Sequence, residues 1–415
     1  MKRLFFSIPV LILSLVAGYQ ILSLWRGVSL YQTNLSKESL LKAIRAVPSN
    51  PDPFYRLGLF YQWDLRNIDL KESFNYLKKA IERNPLEQEY WLNVAKIFQR
   101  MGESKASERA LENAILLFPA GYQGRWVAGN LLLQQGAFEK ALPHFSYILD
   151  HYPNQSHVVY DVLGRAVNDS DFILERLVPK DPTSLKQYLS YLYEAGDKES
   201  AQKAWQKRDL FAYKPDRNET LRYIEFLISR GSLNEASLIW KARLQEEGLP
   251  IPSDGNWMTN GGFEKEKILG GGFDWKIEKV PGADTSFDLS SALEGKRSVK
   301  IVFNGKENVD FYHIYQYVPL KPNTEYVLKA NMKTQAVTTK SGLKIEISGI
   351  GPAFYKASDP LVGDNEWREL MVAFRTPPQS QGGLVRIRRE RTDKFDRFIS
   401  GTAWIDNFSL TEKSR

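Results

Sequence analysis

The sequence predicts a multidomain chain: an N-terminal transmembrane helix, an all-α solenoid of stacked helical hairpins, and a closing all-β sandwich. Three observations predict it. Leu4 to Trp25 contains no charged residue. Prolines and glycines then recur about 34 residues apart, a period that marks stacked helical hairpins. Beyond Glu247 the helical period gives way to short alternating runs separated by turn residues.

The 415 residues exceed what one core supports, so several folding units are expected. The net charge of +7 comes from 56 basic and 49 acidic residues interleaved along the chain, without the concentrated basic face of a nucleic-acid binder. The one basic run, Arg386 to Arg397, itself contains acids. The absence of cysteine excludes disulfides, thiolate catalysis, thiolate metal sites and a cysteine-linked lipid anchor.

Lys2 and Arg3 precede the uncharged run. Roughly 20 apolar residues span a hydrocarbon core. The two cations would remain cytoplasmic and the bulk of the chain would face outward. Trp25 and Tyr31 sit where interfacial aromatics are expected. A cleaved signal is the competing reading, although Val16-Ala17-Gly18 is a poor small-x-small site. Residues 1–30 are thus an anchor or signal segment. The expected location is a cell inner membrane, crossed once, with a periplasmic bulk.

Residues 31–247 form the helical region. Pro85, Pro119 and Pro153 are evenly spaced, as are Gly102 and Gly136. Trp91, Val94, Ala95 and Phe98 make one helical stripe. Gly129, Ala141, Ile148 and Pro153 fall where the tetratricopeptide repeat has its small residues and proline, so the region resembles that family. Gly58, Tyr61, Ala80 and Pro85 repeat the pattern with three extra residues near Arg66 to Ile68, whereas Gln155 to Lys180 fits poorly. The resemblance implies a curved array that binds protein partners. Trp91, Phe98, Trp205 and Trp240 are expected in its core. Tyr188, Tyr191 and Tyr193 are candidates for its concave face.

Residues 248–256 read as a linker, and 257–415 as the sandwich. The strand-like runs are Ser298–Phe303, Tyr312–Val318, Tyr326–Lys333, Leu343–Ser348, Glu369–Phe374, Gly383–Arg389 and Thr402–Leu410. Three stretches sharpen the reading. Asn260 to Glu264 (NGGFE) leads to Gly272 to Trp275. Gln316 to Tyr326 (QYVPLKPNTEY) continues to Thr334. Trp404 to Leu410 (WIDNFSL) lies near the C-terminus. Together they resemble the jelly-roll carbohydrate-binding modules of families 4 and 9, within the galactose-binding-like sandwiches. The resemblance implies a polysaccharide ligand and a structural calcium, with Glu264 and Asp406 as hard oxygen donors at the matching positions.

Gly261, Gly262 and Gly270 to Gly272 are expected in positive-φ turns. Phe263, Trp275 and Trp404 are expected in the core. Sugars stack their C–H faces on aromatic rings. Strand alternation puts His313, Tyr315 and Tyr317 on one face, opposite Ile314 and Val318. With Ile314 inward, those three rings become ligand candidates. Trp367 and Arg388 are further candidates. The run from Arg386 reads by default as a solvated strand surface.

No motif singles out a catalytic carboxylate pair, and GxSxG, HExxH and a phosphate loop are missing. His144 and His151 lack a third ligand. The expectation is a non-enzymatic scaffold that holds protein partners through its repeats and a glycan through its sandwich. Surface or exopolysaccharide assembly or export would suit it. A scaffold with protein contacts only is the alternative from another class, and a glycan-processing enzyme a further one.

Overall fold

The structure, a computed structural model, describes residues 2–32, 35–167, 169–251 and 255–413. The side chains of residues 2–9, including those of Lys2 and Arg3, and linker residues 252–254 lie outside the described set. The chain divides into two compact units. One holds residues 1–191 and 202–213; the other holds 192–201 and 214–415.

The first unit begins with α1 (Lys2–Gln32), whose segment Val10–Gln32 is long and apolar enough to cross a membrane. Its C-terminal turn packs directly on α2 (Lys37–Ala46) and α3 (Asp52–Trp63). Tyr31 is buried with Leu40, Ala43 and Leu57, and donates to Asp52 at 2.5 Å. Hairpins follow: α3 with α4 (Leu70–Arg83), α5 (Gln88–Arg100) with α6 (Ser104–Leu117), and α7 (Tyr122–Gln134) with α8 (Phe138–His151). Close helix approach accounts for the small residues. A side chain at Gly58 would meet Leu77 at 2.7 Å, and one at Gly129 would meet Phe145 at 2.8 Å. Gly102 and Gly136 close their hairpins at φ of +77° and +73°.

The poorly fitting stretch is a truncated hairpin. α9 (Ser156–Ala166) is followed by a single turn, α10 (Ser170–Phe172), that runs into a π-helical turn, Ile173–Leu177. Next come α11 (Pro182–Ala195) and α12 (Lys198–Gln206). Tyr188 is fully buried and belongs to the core, not to a concave surface.

In the second unit, α13 (Arg217–Ser229) and α14 (Leu233–Glu246) lie against an antiparallel sandwich of ten strands. Those are β1 (Lys276–Ile277), β2 (Ala283–Asp288), β3 (Ser298–Asn304), β4 (Phe311–Pro319), β5 (Glu325–Val337), β6 (Lys344–Ile350), β7 (Tyr355–Ala357), β8 (Gly363–Arg375), β9 (Gly382–Arg389) and β10 (Ser400–Glu412). One sheet runs β1-β4-β9-β6-β7 and the other β2-β3-β10-β5-β8. Phe263, Trp275, Ile314, Val318, Ile345, Ile347, Ile387 and Phe408 are among the residues filling the space between them.

The glycine-rich stretch joins helices to sandwich. Asp274 gathers the backbone N–H groups of Ile268, Leu269 and Gly270 and closes a tight loop. The loop presents Gly272, at φ +60°, to Trp240 and Ile224, and Phe273 packs on the Trp240 ring at 5.8 Å. Positive φ was expected for all five glycines here, and it occurs at Gly270 and Gly272. Asn260 and Phe263 take the other left-handed positions, while Gly261 is needed for closeness: a Cβ there would lie 2.0 Å from the Phe408 carbonyl.

Replacing Gly272 with alanine puts a methyl group 2.8 Å from Trp240 in a left-handed conformation. Strain and overpacking together should cost about 2–4 kcal/mol. Urea denaturation of the two proteins measures this directly.

Candidate functional site

The outward face of the sheet β1-β4-β9-β6-β7 gathers most of the sequence candidates. Ile314, Gln316 and Val318 point into the core, so His313, Tyr315 and Tyr317 point out, each half-buried. A bulge between Phe311 and Ile314 breaks the alternation. It buries Phe311 and turns Tyr312 outward, where its ring stacks on His313 at 4.4 Å. Tyr315 and Tyr317 meet edge to face at 5.9 Å.

Register sets what lies beside the rings. Tyr315 pairs across the strands with Arg386 and Lys276, and Arg386 pairs in turn with Glu346. Tyr317 pairs with Leu384, then Ser348, then Tyr355. Glu346 is the hub. Its side chain is 1% exposed, with Arg386 Nε 2.7 Å from Oε1 and the Tyr355 hydroxyl donating to Oε2 at 2.8 Å. Arg388 Nε lies 3.8 Å from the same carboxylate, and its Nη1 donates to Asp310 and to the Phe311 carbonyl. Lys344 is 3.3 Å from Glu390, and Lys276 is 2.6 Å from Glu225. Each of these cations therefore has a carboxylate within ion-pair distance.

Burial and the hydrogen bond to Glu278 at 2.8 Å hold the Tyr315 phenol protonated well above its usual range. Burial, then the charges of Glu225 and Glu278, raise Tyr317. Protonated phenols beside carboxylate acceptors and guanidinium donors combine apolar ring surface with hydrogen-bonding groups on one face.

The basic run is only partly surface. Arg386 and Arg388 point outward, but Arg389 is fully buried. Its guanidinium donates to the carbonyls of Ser341, Val309 and Arg397 and to Asn308 Oδ1, clamping three loops at one end of the sandwich. Trp367 stands apart from the other candidates. It lies half-buried on edge strand β8 of the opposite sheet, inside a register shift between the pairs Met332–Arg368 and Thr334–Asn365. Trp404 also faces outward from that sheet. It is 8% exposed, donates to Asp288 at 2.8 Å and is covered by Lys300.

Glu264 and Asp406 meet beside Gly262, where a Cβ would lie 3.7 Å from Asp406 Oδ1 and 3.9 Å from Glu264 Cγ. Asp406 is fully buried and accepts backbone N–H groups from Leu293, Glu294 and Asn407; Glu264 accepts that of Lys296. Burial, reinforced by the Glu264 charge, raises the Asp406 carboxyl above its ordinary range. Two adjacent carboxylates, one buried, fit a hard cation in donor chemistry. Calcium takes six to eight oxygens, so carbonyls and water would complete the set.

Among the described residues no group of three or more His, Asp or Glu is arranged to hold a metal. His144 sits beside Arg125 at 3.4 Å, and burial plus that cation lower it to about 4. His151 stacks on Tyr147.

A family model described as tetratricopeptide repeat matches residues 95–156. Among curated proteins, the tRNA(Glu)-specific nuclease WapA of Bacillus subtilis subsp. natto is 25% identical over 163 residues. That is 37% of this chain and 7% of the nuclease. The tRNA nuclease WapA of Bacillus subtilis is 24% identical over 164 residues, again 37% and 7%. The chain thus spans 7% of the length of these curated relatives. Among solved structures, Family 16 Carbohydrate Binding Module-2 is 22% identical with a TM-score of 0.28, over 38% of this chain and 100% of that one. The CBM22-1 xylan-binding domain from Paenibacillus barcinonensis is 16% identical with a TM-score of 0.25, over 34% and 87%. MamA is 19% identical with a TM-score of 0.28, over 32% and 78%.

Replacing Glu346 with alanine strands Arg386 and the Tyr355 hydroxyl. The loss expected is about 2–4 kcal/mol, somewhat below the cost of breaking a fully buried pair because Arg386 reaches solvent. Glu346→Gln, which keeps an acceptor for Tyr355, should lose less in the same denaturation experiment.

Proposed function

We propose that this protein is a non-enzymatic scaffold of the cell envelope. Its helical repeats hold protein partners, and the outward face of β1-β4-β9-β6-β7 binds a glycan. In this reading α1 anchors the chain once in an inner membrane with the bulk on the periplasmic side. Assembly or export of a surface or exopolysaccharide would use such a pairing.

The observation that carries the glycan reading is the pair Tyr315 and Tyr317, half-buried on an open sheet face beside the Glu346–Arg386–Arg388 ladder. The rings offer apolar surface to pyranose C–H groups, and the ladder offers fixed donors and acceptors to hydroxyls. Because the arginines are already offset by Glu346 and Asp310, a neutral polymer fits this face better than an acidic one. The family-model match supports the protein-binding role of the repeats. Glu264 and Asp406 would hold calcium, whose charge would favour the ionised Asp406 that burial disfavours.

The test is affinity electrophoresis of the detergent-solubilised full chain against neutral and acidic polysaccharides. Tyr315→Ala and Tyr317→Ala should each weaken binding at least about tenfold, on the order of 1.4 kcal/mol, without loss of fold. A wild-type chain inert towards every polymer would leave the face to a protein partner and overturn the glycan reading.

Calcium should raise the melting temperature of the wild type relative to chelator, and Glu264→Gln should erase that increment. Melting curves that do not respond to calcium would rule the ion out.

A further inference from the structure

The sheet face does not stand alone. Lys276 of β1 pairs in register with Tyr315, so the two side chains share the outward face. Lys276 reaches Glu225 of α13 at 2.6 Å. The same Glu225 oxygen, Oε1, accepts the Gly272 N–H at 2.7 Å. A residue of the helical hairpin therefore stands beside the tyrosine pair. Its side chain is 40% exposed, and among the described residues its second oxygen, Oε2, meets no donor.

Two further observations point to a ligand at this spot. The Tyr317 hydroxyl is accessible and makes no hydrogen bond among the described residues, whereas its neighbour Tyr315 is held by Glu278. Glu225 is also tied to the strip by geometry: it holds Lys276, the register partner of Tyr315, whose ring meets Tyr317 at 5.9 Å. The Glu225 backbone is fixed as well: Ile224, its neighbour, packs on Gly272, and Trp240 of α14 packs on Phe273. A free carboxylate oxygen, a free phenol and an aromatic face thus border the same strip.

We propose that Glu225 is a ligand-contacting residue, its Oε2 accepting hydroxyl hydrogens of the glycan seated on Tyr315 and Tyr317. The helical hairpin α13–α14 then forms one wall of the binding cleft, and the sheet alone is an incomplete site. This rests on the glycan reading above and adds to it the class of contact: sugar hydroxyls donating to one carboxylate oxygen, which suits it to hydroxyl-rich neutral sugars.

The experiment uses the full chain in detergent with soluble xylan, mixed-linkage β-glucan and galactomannan as probes. It compares wild type, Glu225→Gln, Lys276→Met, Tyr315→Ala and Tyr317→Ala. Glu225→Gln keeps a side-chain carbonyl for the Gly272 N–H, so its melting temperature should match the wild type while affinity falls about 10- to 150-fold, the range of one hydrogen bond to a charged group. Lys276→Met removes the ion pair but leaves the acceptor, and affinity should fall clearly less than in Glu225→Gln. Unchanged affinity in Glu225→Gln, with binding lost in the tyrosine variants, overturns the role of Glu225 and leaves the sheet-face reading intact. Equal losses in Glu225→Gln and Lys276→Met would assign Glu225 to packing only and overturn it too. Tyrosine variants that bind like the wild type, or a wild type that binds none of the probes, overturn both.

Discussion

The second unit depends on how one loop is seated. Asp274 draws three backbone N–H groups into a tight turn, and that turn brings the Gly272 backbone onto Trp240 with no room for a side chain. Seating the loop fixes β1, which starts two residues after Asp274. Fixing β1 sets Lys276 beside Tyr315 and within reach of Glu225. A carboxylate capping a loop and an indole filling the space above it thus determine which groups border the tyrosines. The glycines are permissive, but the direction comes from Asp274 and Trp240.

The outer sheet face is organised by charge pairs rather than by a field of one sign. Glu346 is nearly inaccessible and would be costly to bury alone, so Arg386, Arg388 and the Tyr355 hydroxyl converge on it. Such a network is stiff. Its donors and acceptors are held before any ligand arrives, which reduces the ordering cost of binding. At the end of the sandwich, Arg389 does comparable work with carbonyls instead of carboxylates. Burial pulls its pKa below the usual arginine range, and its guanidinium is met by three backbone oxygens and one amide.

Much of the architecture was legible because period and burial are local signals. The run Ser298–Phe303 became β3, and Gly383–Arg389 became β9, each to within a residue. Inward Ile314 and Val318 correctly turned Tyr315 and Tyr317 outward. What failed was non-local or irregular. Alternation alone cannot reveal the bulge that buries Phe311 and exposes Tyr312. Trp367 was grouped with the tyrosines although strand order puts it on the other sheet. Tyr188 read as a surface ring because a stripe does not say which helix covers it. Glu346 was visible only as one polar member of an alternating strand. Glu225 left no signal, since its partners Gly272 and Lys276 lie 47 and 51 positions further along the chain.

The contact between α1 and the first hairpin has a mechanical consequence. Tyr31 is inserted among Leu40, Ala43 and Leu57, and Gly27 lies so near Val47 that a methyl group there would be 2.8 Å away. The described end of the apolar helix is therefore packed against the first hairpin. A flexible spacer would let a cargo-binding array sweep a hemisphere whose radius grows with spacer length. With α1 embedded as proposed, the first hairpin would ride at a set height and tilt above the bilayer. The effective concentration offered to a membrane-bound partner would then be governed by lateral diffusion and stature, not by chain entropy.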